Sequence, residues 1–146
     1  MSRWLNQFQP WGVLLLRLVL GIAMMAHGYP KVISPGAFHG SHSFAPLDHA
    51  ALNHYVHYIA TLGLPPWLAY VSAFTELAGG FFLVFGLLTR FVAFLVTINM
   101  IFAIALVDRH LGYAGCEYPL ALAAIALMLL FAGPGKAALD HKIGFA

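Results

Sequence analysis

The sequence predicts an all-α fold, an integral membrane four-helix bundle with an additional amphipathic surface helix between spans one and two. Three observations predict it. The 146 residues are 62% hydrophobic and only 8% charged, with mean hydropathy +0.85, whereas a soluble domain carries about 25% charged residues. The apolar residues come in continuous runs rather than in alternation, which suits spanning helices and excludes a spanning barrel. At about 20 residues per crossing, the length accommodates about four spans in a single transmembrane domain, residues 1–146.

The elements follow in order. Residues 2–10 place Trp4, Phe8 and Trp11 at helical spacing, an interfacial helix with its rings at headgroup level. Pro10 then breaks it from span one, about 11–29, which stops at Gly28, Tyr29 and Pro30. Arg3 before an apolar run resembles a signal peptide, but Arg17 interrupts the run and no convincing small-residue cleavage site follows, so the segment reads as a retained span. Residues 30–65 form the one long polar segment, an outer loop beginning SPGAFHGSHSFAP. Asp48 then caps a helix carrying Leu52, Tyr55, Val56 and Ile59 on one stripe, and Gly63 ends it. Pro65 and Pro66 open span two, about 66–88, and Thr89 and Arg90 turn the chain into span three, about 91–108. A short loop leads to span four, about 116–132, and GPGKAALDHKIGFA closes as a polar tail with a terminal helix turn.

The net charge of +2 is too small and scattered to suggest a nucleic-acid partner. It reports on topology instead. With four spans, Arg3, Arg90, Lys136 and Lys142 fall on one side and Lys31 and Arg109 on the other. That bias places both termini in the cytoplasm and the His-rich loop outside, in a cytoplasmic (inner) membrane of bacterial or archaeal type. Cys116 is the single cysteine, so no intramolecular disulfide forms.

Arg17 and Glu76 are ionised side chains inside spans, and lipid penalises both. A helix rises about 1.5 Å per residue, which puts Arg17 about 9 Å from the cytoplasmic end, Asn99 about 12 Å, Glu76 about 20 Å, and His27 and Glu117 about 24 Å, with His110 near the outer rim. Arg17 and Glu76 are therefore not a direct pair. Arg17 meets Asn99 or backbone carbonyls, or snorkels inward. Glu76 faces His27, Glu117 and His110 in the outer half of the bundle. A carboxylate and an imidazole in low dielectric can titrate near neutral pH and pass protons to a carbonyl or phenol oxygen, the chemistry of a quinone ligand. The competing account has Glu76 and His27 hydrogen-bond each other and hold the bundle together.

Other groups read as structural. His39, His42, His49, His54 and His57 lack the convergence of a metal site, and haem held by His27 and His110 is disfavoured. Cys116 beside Glu117 reads as packed and inert. Gly21, Gly79, Gly80 and Gly86, with Ala121, Ala123 and Ala124, offer small faces for close helix packing.

RLVLGIAMMAHGYPKV in span one, TELAGGFFLVFGLLTR across span two, His110 followed by Gly112, Glu117, and the tail GPGKAALD together resemble the DoxX family over nearly the whole chain. The resemblance implies a small four-helix membrane protein, in a family named for association with thiosulfate:quinone oxidoreductase and linked to quinone handling and redox homeostasis. Carried over by motif, it implies functional positions at Arg17, His27, Lys31, Glu76, Arg90, His110 and Glu117. The long His-rich loop departs from the pattern. No flavin, nicotinamide or iron–sulfur motif is present, so the chain lacks an evident electron carrier of its own.

The function expected is that of a DoxX-like component of a redox system, binding a quinone or similar small apolar ligand in the outer half of the bundle. Glu76 exchanges protons with His27 as partner or relay, Glu117 and His110 line the mouth, and Lys31, Arg17 and Arg90 complete the candidate ligand-binding set. Candidate partners are the lipid bilayer, a redox-enzyme subunit and a second copy of the chain. The alternatives are a non-catalytic scaffold that recruits a redox enzyme, and a small-solute carrier.

Overall fold

The computed structural model describes residues 6–33, 49–106 and 112–145. Asp48, which the sequence nominates as a helix cap, lies outside them. Regular structure among the described residues is α-helical: α1 (Gln9–Val32), α2 (His49–Thr61), α3 (Trp67–Phe85), α4 (Thr89–Leu106), α5 (Tyr113–Ala132) and α6 (Asp140–Ile143). α1, α3, α4 and α5 are long and apolar enough to cross a membrane. Their exposed positions include Leu15, Ile22, Phe74, Ile101 and Phe131, the surface a lipid-facing bundle presents. α2 is the expected amphipathic helix. It buries Tyr55 and Ile59 against Val32, Ala69 and Ala73 and leaves His54 and His57 exposed.

α1 packs most extensively on α3, and α4 on α5. Glycines set the first of these approaches. A Cβ on Gly21 would lie 2.8 Å from the Gly80 carbonyl oxygen, and one on Gly80 2.7 Å from the Gly21 carbonyl oxygen. Small residues facing one another let two backbones meet in this way. Between α4 and α5, Ala93, Ala123 and Ala126 are buried beside Val96, Leu122 and Leu129.

Several boundaries differ from the sequence expectation, α5 beginning at Tyr113 instead of about 116, and two of the differences bear on the site and its support. Span one does not stop at Gly28 to Pro30: α1 continues to Val32 with Pro30 inside it. Gly28 is a packing residue, since a Cβ there would run into the Leu77 backbone. Proline so near a helix end forfeits one late hydrogen bond, and the helix survives it. The second difference is the turn, which lies at residues 86–88 rather than at Thr89 and Arg90. Gly86 takes a left-handed conformation, φ 66°, while Gly86 N–H donates to the Leu83 carbonyl and Leu87 N–H to that of Phe82, which closes α3 with a Schellman arrangement. Thr89 already belongs to α4.

The tail secures this turn. Asp140, 1% exposed, accepts the Leu88 N–H at 2.6 Å and the Thr89 N–H at 2.8 Å. It caps α4 from 51 residues away in sequence and fixes Leu88 at its positive φ of 52°. Arg17, also 1% exposed, donates to the Pro134 carbonyl at 2.6 Å and to that of Ala137 at 3.2 Å. Backbone carbonyls, among the partners expected for Arg17, are the ones found.

Candidate functional site

The central group of the site is Glu76, half-way along α3 and 3% exposed. Lys31 extends from the last turn of α1, and its ammonium donates to Glu76 Oε1 at 2.7 Å and lies 2.5 Å from Oε2. Asn99 on α4 donates its Nδ2–H to Oε1 at 3.0 Å. α2 adds Tyr55, whose ring centroid is 4.6 Å from the Lys31 ammonium and whose hydroxyl is 2.9 Å from Ser72 Oγ. Side chains from four helices thus meet around Glu76, with Lys31 and Asn99 bonded to its carboxylate. The continuation of α1 through Pro30 is what delivers Lys31, one turn beyond His27 on the same face.

These groups line a cavity of about 460 Å³. Its walls are otherwise mainly apolar, with Ile59, Leu68, Leu95, Met100 and Leu122 among them. That size and composition match the usual small-molecule site, in which few polar groups sit in an apolar surround. An isolated carboxylate would be strongly disfavoured there. The ammonium and amide contacts compensate its charge, and Lys31 and Asn99 keep further hydrogen-bonding capacity beyond the bonds they make to Glu76.

A second polar pair stands at the rim. His27 Nε2 is 3.0 Å from the Tyr118 hydroxyl, with the ring centroids 5.3 Å apart. Both side chains are exposed, and both line the cavity.

The structure therefore brings together Glu76, Lys31 and His27 but gives Glu76 partners other than those expected. Its bonds go to Lys31 and Asn99, while His27 bonds Tyr118. Asn99 belongs to Glu76 and not to Arg17. Glu117 is exposed and is not among the cavity residues. Arg17 lies at the opposite end of the bundle, and so does Arg90, which donates to the Leu130 carbonyl at 2.9 Å. His110 lies outside the described residues, as do Arg109, His39 and His42. Among the described residues no three His, Cys, Asp or Glu side chains converge as a metal site requires. Tyr55, Ser72 and Tyr118 were not among the sequence candidates. Their signal is faint, since aromatic and hydroxyl residues at span ends are common for reasons of packing and interface.

The family model described as DoxX matches residues 12–109, a stretch that holds His27, Lys31, Glu76 and Asn99. The chain belongs to the DoxX family. A protein of Bacillus subtilis (strain 168) named "Putative oxidoreductase CatD" is 35% identical over 121 residues, which cover 81% of this chain and 78% of that protein. No solved structure matches. With four helices among the described residues able to cross a bilayer, this DoxX-family chain is a multi-pass membrane protein, and the polar cluster around Glu76 is embedded in its bundle.

Proposed function

We propose that this DoxX-family membrane protein is a component of a redox system and binds a quinone, or a similar small apolar ligand bearing a carbonyl or phenol oxygen, in the cavity beside Glu76. The observation that supports the reading is the buried Glu76 carboxylate, held by half-buried Lys31 and Asn99 in the wall of an otherwise mainly apolar cavity of about 460 Å³. The oxidoreductase name of the Bacillus subtilis relative favours redox chemistry as the context.

In this reading the Lys31 ammonium donates to the ligand oxygen and holds it, while Glu76 takes up or delivers a proton at that oxygen. His27 and Tyr118 connect the rim of the cavity to water and pass the proton onward. A partner redox enzyme supplies the electrons when the ring is reduced and accepts them when it is oxidised, because the sequence carries no flavin, nicotinamide or iron–sulfur motif. α2 covers the cavity, and Arg17 anchors the far end. Arg90, Lys136 and Lys142 all gather at the Asp140 end, which supports a cytoplasmic position for that end and an outward position for the cavity.

The test is quinone binding to the purified protein in lipid nanodiscs, with Glu76→Gln and Lys31→Met alongside. Loss of affinity in both variants is expected. Unchanged affinity and unchanged pH dependence in Glu76→Gln would remove Glu76 from the mechanism. Absence of any binding, together with capture of a redox enzyme from membranes, would favour a scaffold instead.

A further inference from the structure

The cavity beside Glu76 has a neighbour. A second depression, of about 280 Å³, runs along the seam between α3 and α4. Thr75, Ala78, Gly79 and Phe82 form its α3 wall, at the i, i+3, i+4 and i+7 spacing of a single helix stripe. That stripe extends the depression about 10 Å along the helix axis. Leu88 in the turn, and Phe91, Val92 and Leu95 in the first turns of α4, face it. Thr75 is the one residue with a polar side chain among those that line it.

Two features give this groove a meaning beyond an apolar gap. Val71, Thr75 and Leu95 line both it and the Glu76 cavity, so the two adjoin at these side chains. The groove's flanks open to lipid, since Val71, Phe74 and Phe91 are 46%, 51% and 59% exposed. Gly79, buried and without a side chain, lets the α4 wall approach closely. A Cβ added there would already lie 3.1 Å from Val92 Cγ1.

We infer that the α3–α4 groove holds the hydrocarbon tail of the ligand whose oxygenated head lies beside Lys31, Glu76 and Asn99. The inference rests on the cavity reading proposed above and narrows it. The ligand class is a ring compound with an isoprenoid or alkyl chain, resident in the bilayer and entering sideways, rather than a water-borne aromatic. An elongated apolar groove adjoining a larger chamber with a polar wall fits a head and tail of this kind.

The experiment compares two benzoquinones with the same ring substituents, one bearing a decyl tail and one a methyl group in its place. Binding is measured in nanodiscs, with concentrations expressed as mole fractions in the bilayer so that partitioning cancels. In the unmodified protein the decyl compound is expected to bind about tenfold tighter, the gain coming from packing of the tail in the groove. Gly79→Leu is expected to bring that ratio to about one, the tail's advantage having vanished. Ala78→Leu fills the same groove from a half-buried position and serves should Gly79→Leu fail to fold. Two results overturn the groove assignment while leaving the cavity reading intact: a ratio near one in the unmodified protein with both compounds bound, or an undiminished ratio in both filled variants. A phospholipid chain immobilised in the groove and released by Gly79→Leu, with the ratio near one throughout, assigns the groove to lipid and likewise overturns it. If neither quinone binds the unmodified protein, the cavity reading itself fails and the tail assignment falls with it.

Discussion

The Lys31 ammonium stands 2.7 Å from one carboxylate oxygen of Glu76 and 2.5 Å from the other. The pair joins the last turn of α1 to the middle of α3. The Lys31 side chain retains 18% exposure and that of Glu76 4%, so the carboxylate is the more deeply buried partner.

Removing one member of such a pair leaves the other uncompensated, which in buried settings costs about 3–5 kcal/mol. Lys31→Met is therefore expected to destabilise the protein by about 3 kcal/mol, at the lower end because Lys31 is partly exposed. Combining it with Glu76→Gln is expected to recover most of that loss. Thermal unfolding of the single and double variants in detergent checks the cycle; additive losses would contradict a coupled pair.

The Gly21–Gly80 crossing leads to a second expectation. The atoms met by an added Cβ include a carbonyl oxygen and an amide nitrogen of the facing backbone, which cannot move aside as a side-chain tip can. Gly80→Ala is expected to cost about 1–3 kcal/mol or more, the range for overpacking a tight contact. The shift in thermal midpoint measures it. Gly12, with open space around its Cβ position, serves as the control, and Gly12→Ala should not destabilise.

How much of this was legible in the sequence depends on distance along the chain. The spanning helices, the amphipathic stripe of Leu52, Tyr55, Val56 and Ile59, and the anomaly of Glu76 are visible from local pattern, since periodicity and hydropathy report on neighbours within a turn or two. Partners are a different matter. Extending span two to residue 88 instead of Phe85 displaces Glu76 by about 4.5 Å along the axis, enough to separate it from Asn99, to which it is bonded. Stopping span one at Pro30 likewise hides that Lys31 rides on the same helix as His27. The cap that Asp140 places on α4 has no local signature at all.

Asp140 is open to direct test. Its carboxylate satisfies the Leu88 and Thr89 N–H groups, and loss of a capping side chain costs about 0.5–2 kcal/mol. Asp140→Ala is expected at the upper end because the carboxylate is buried and serves two donors. Asp140→Asn, which retains one acceptor oxygen, should lie between. Chemical or thermal denaturation ranks the three; equal stability of all would exclude the capping role.

Arg17 forms the other tether of the tail. Arg17→Met would leave the Pro134 carbonyl without its donor in a buried setting, at a cost of about 1–3 kcal/mol. The expected readout is specific: limited proteolysis should cut between residues 133 and 140 in Arg17→Met at protease levels that leave the unmodified protein whole. Lysine has a single ammonium where arginine has a forked guanidinium. Arg17→Lys should therefore rescue in part, keeping one of the two carbonyl contacts.

The span of 117 residues between Arg17 and the carbonyl it binds also orders the events of assembly. The first helix enters the membrane with a guanidinium whose acceptors have not yet been synthesised. Until residues 134–137 arrive, that charge must be held by water, lipid phosphate or the insertion machinery. The bundle therefore locks late, and a ribosome stalled midway would leave a first helix still seeking its ligands, a state open to quality-control proteases.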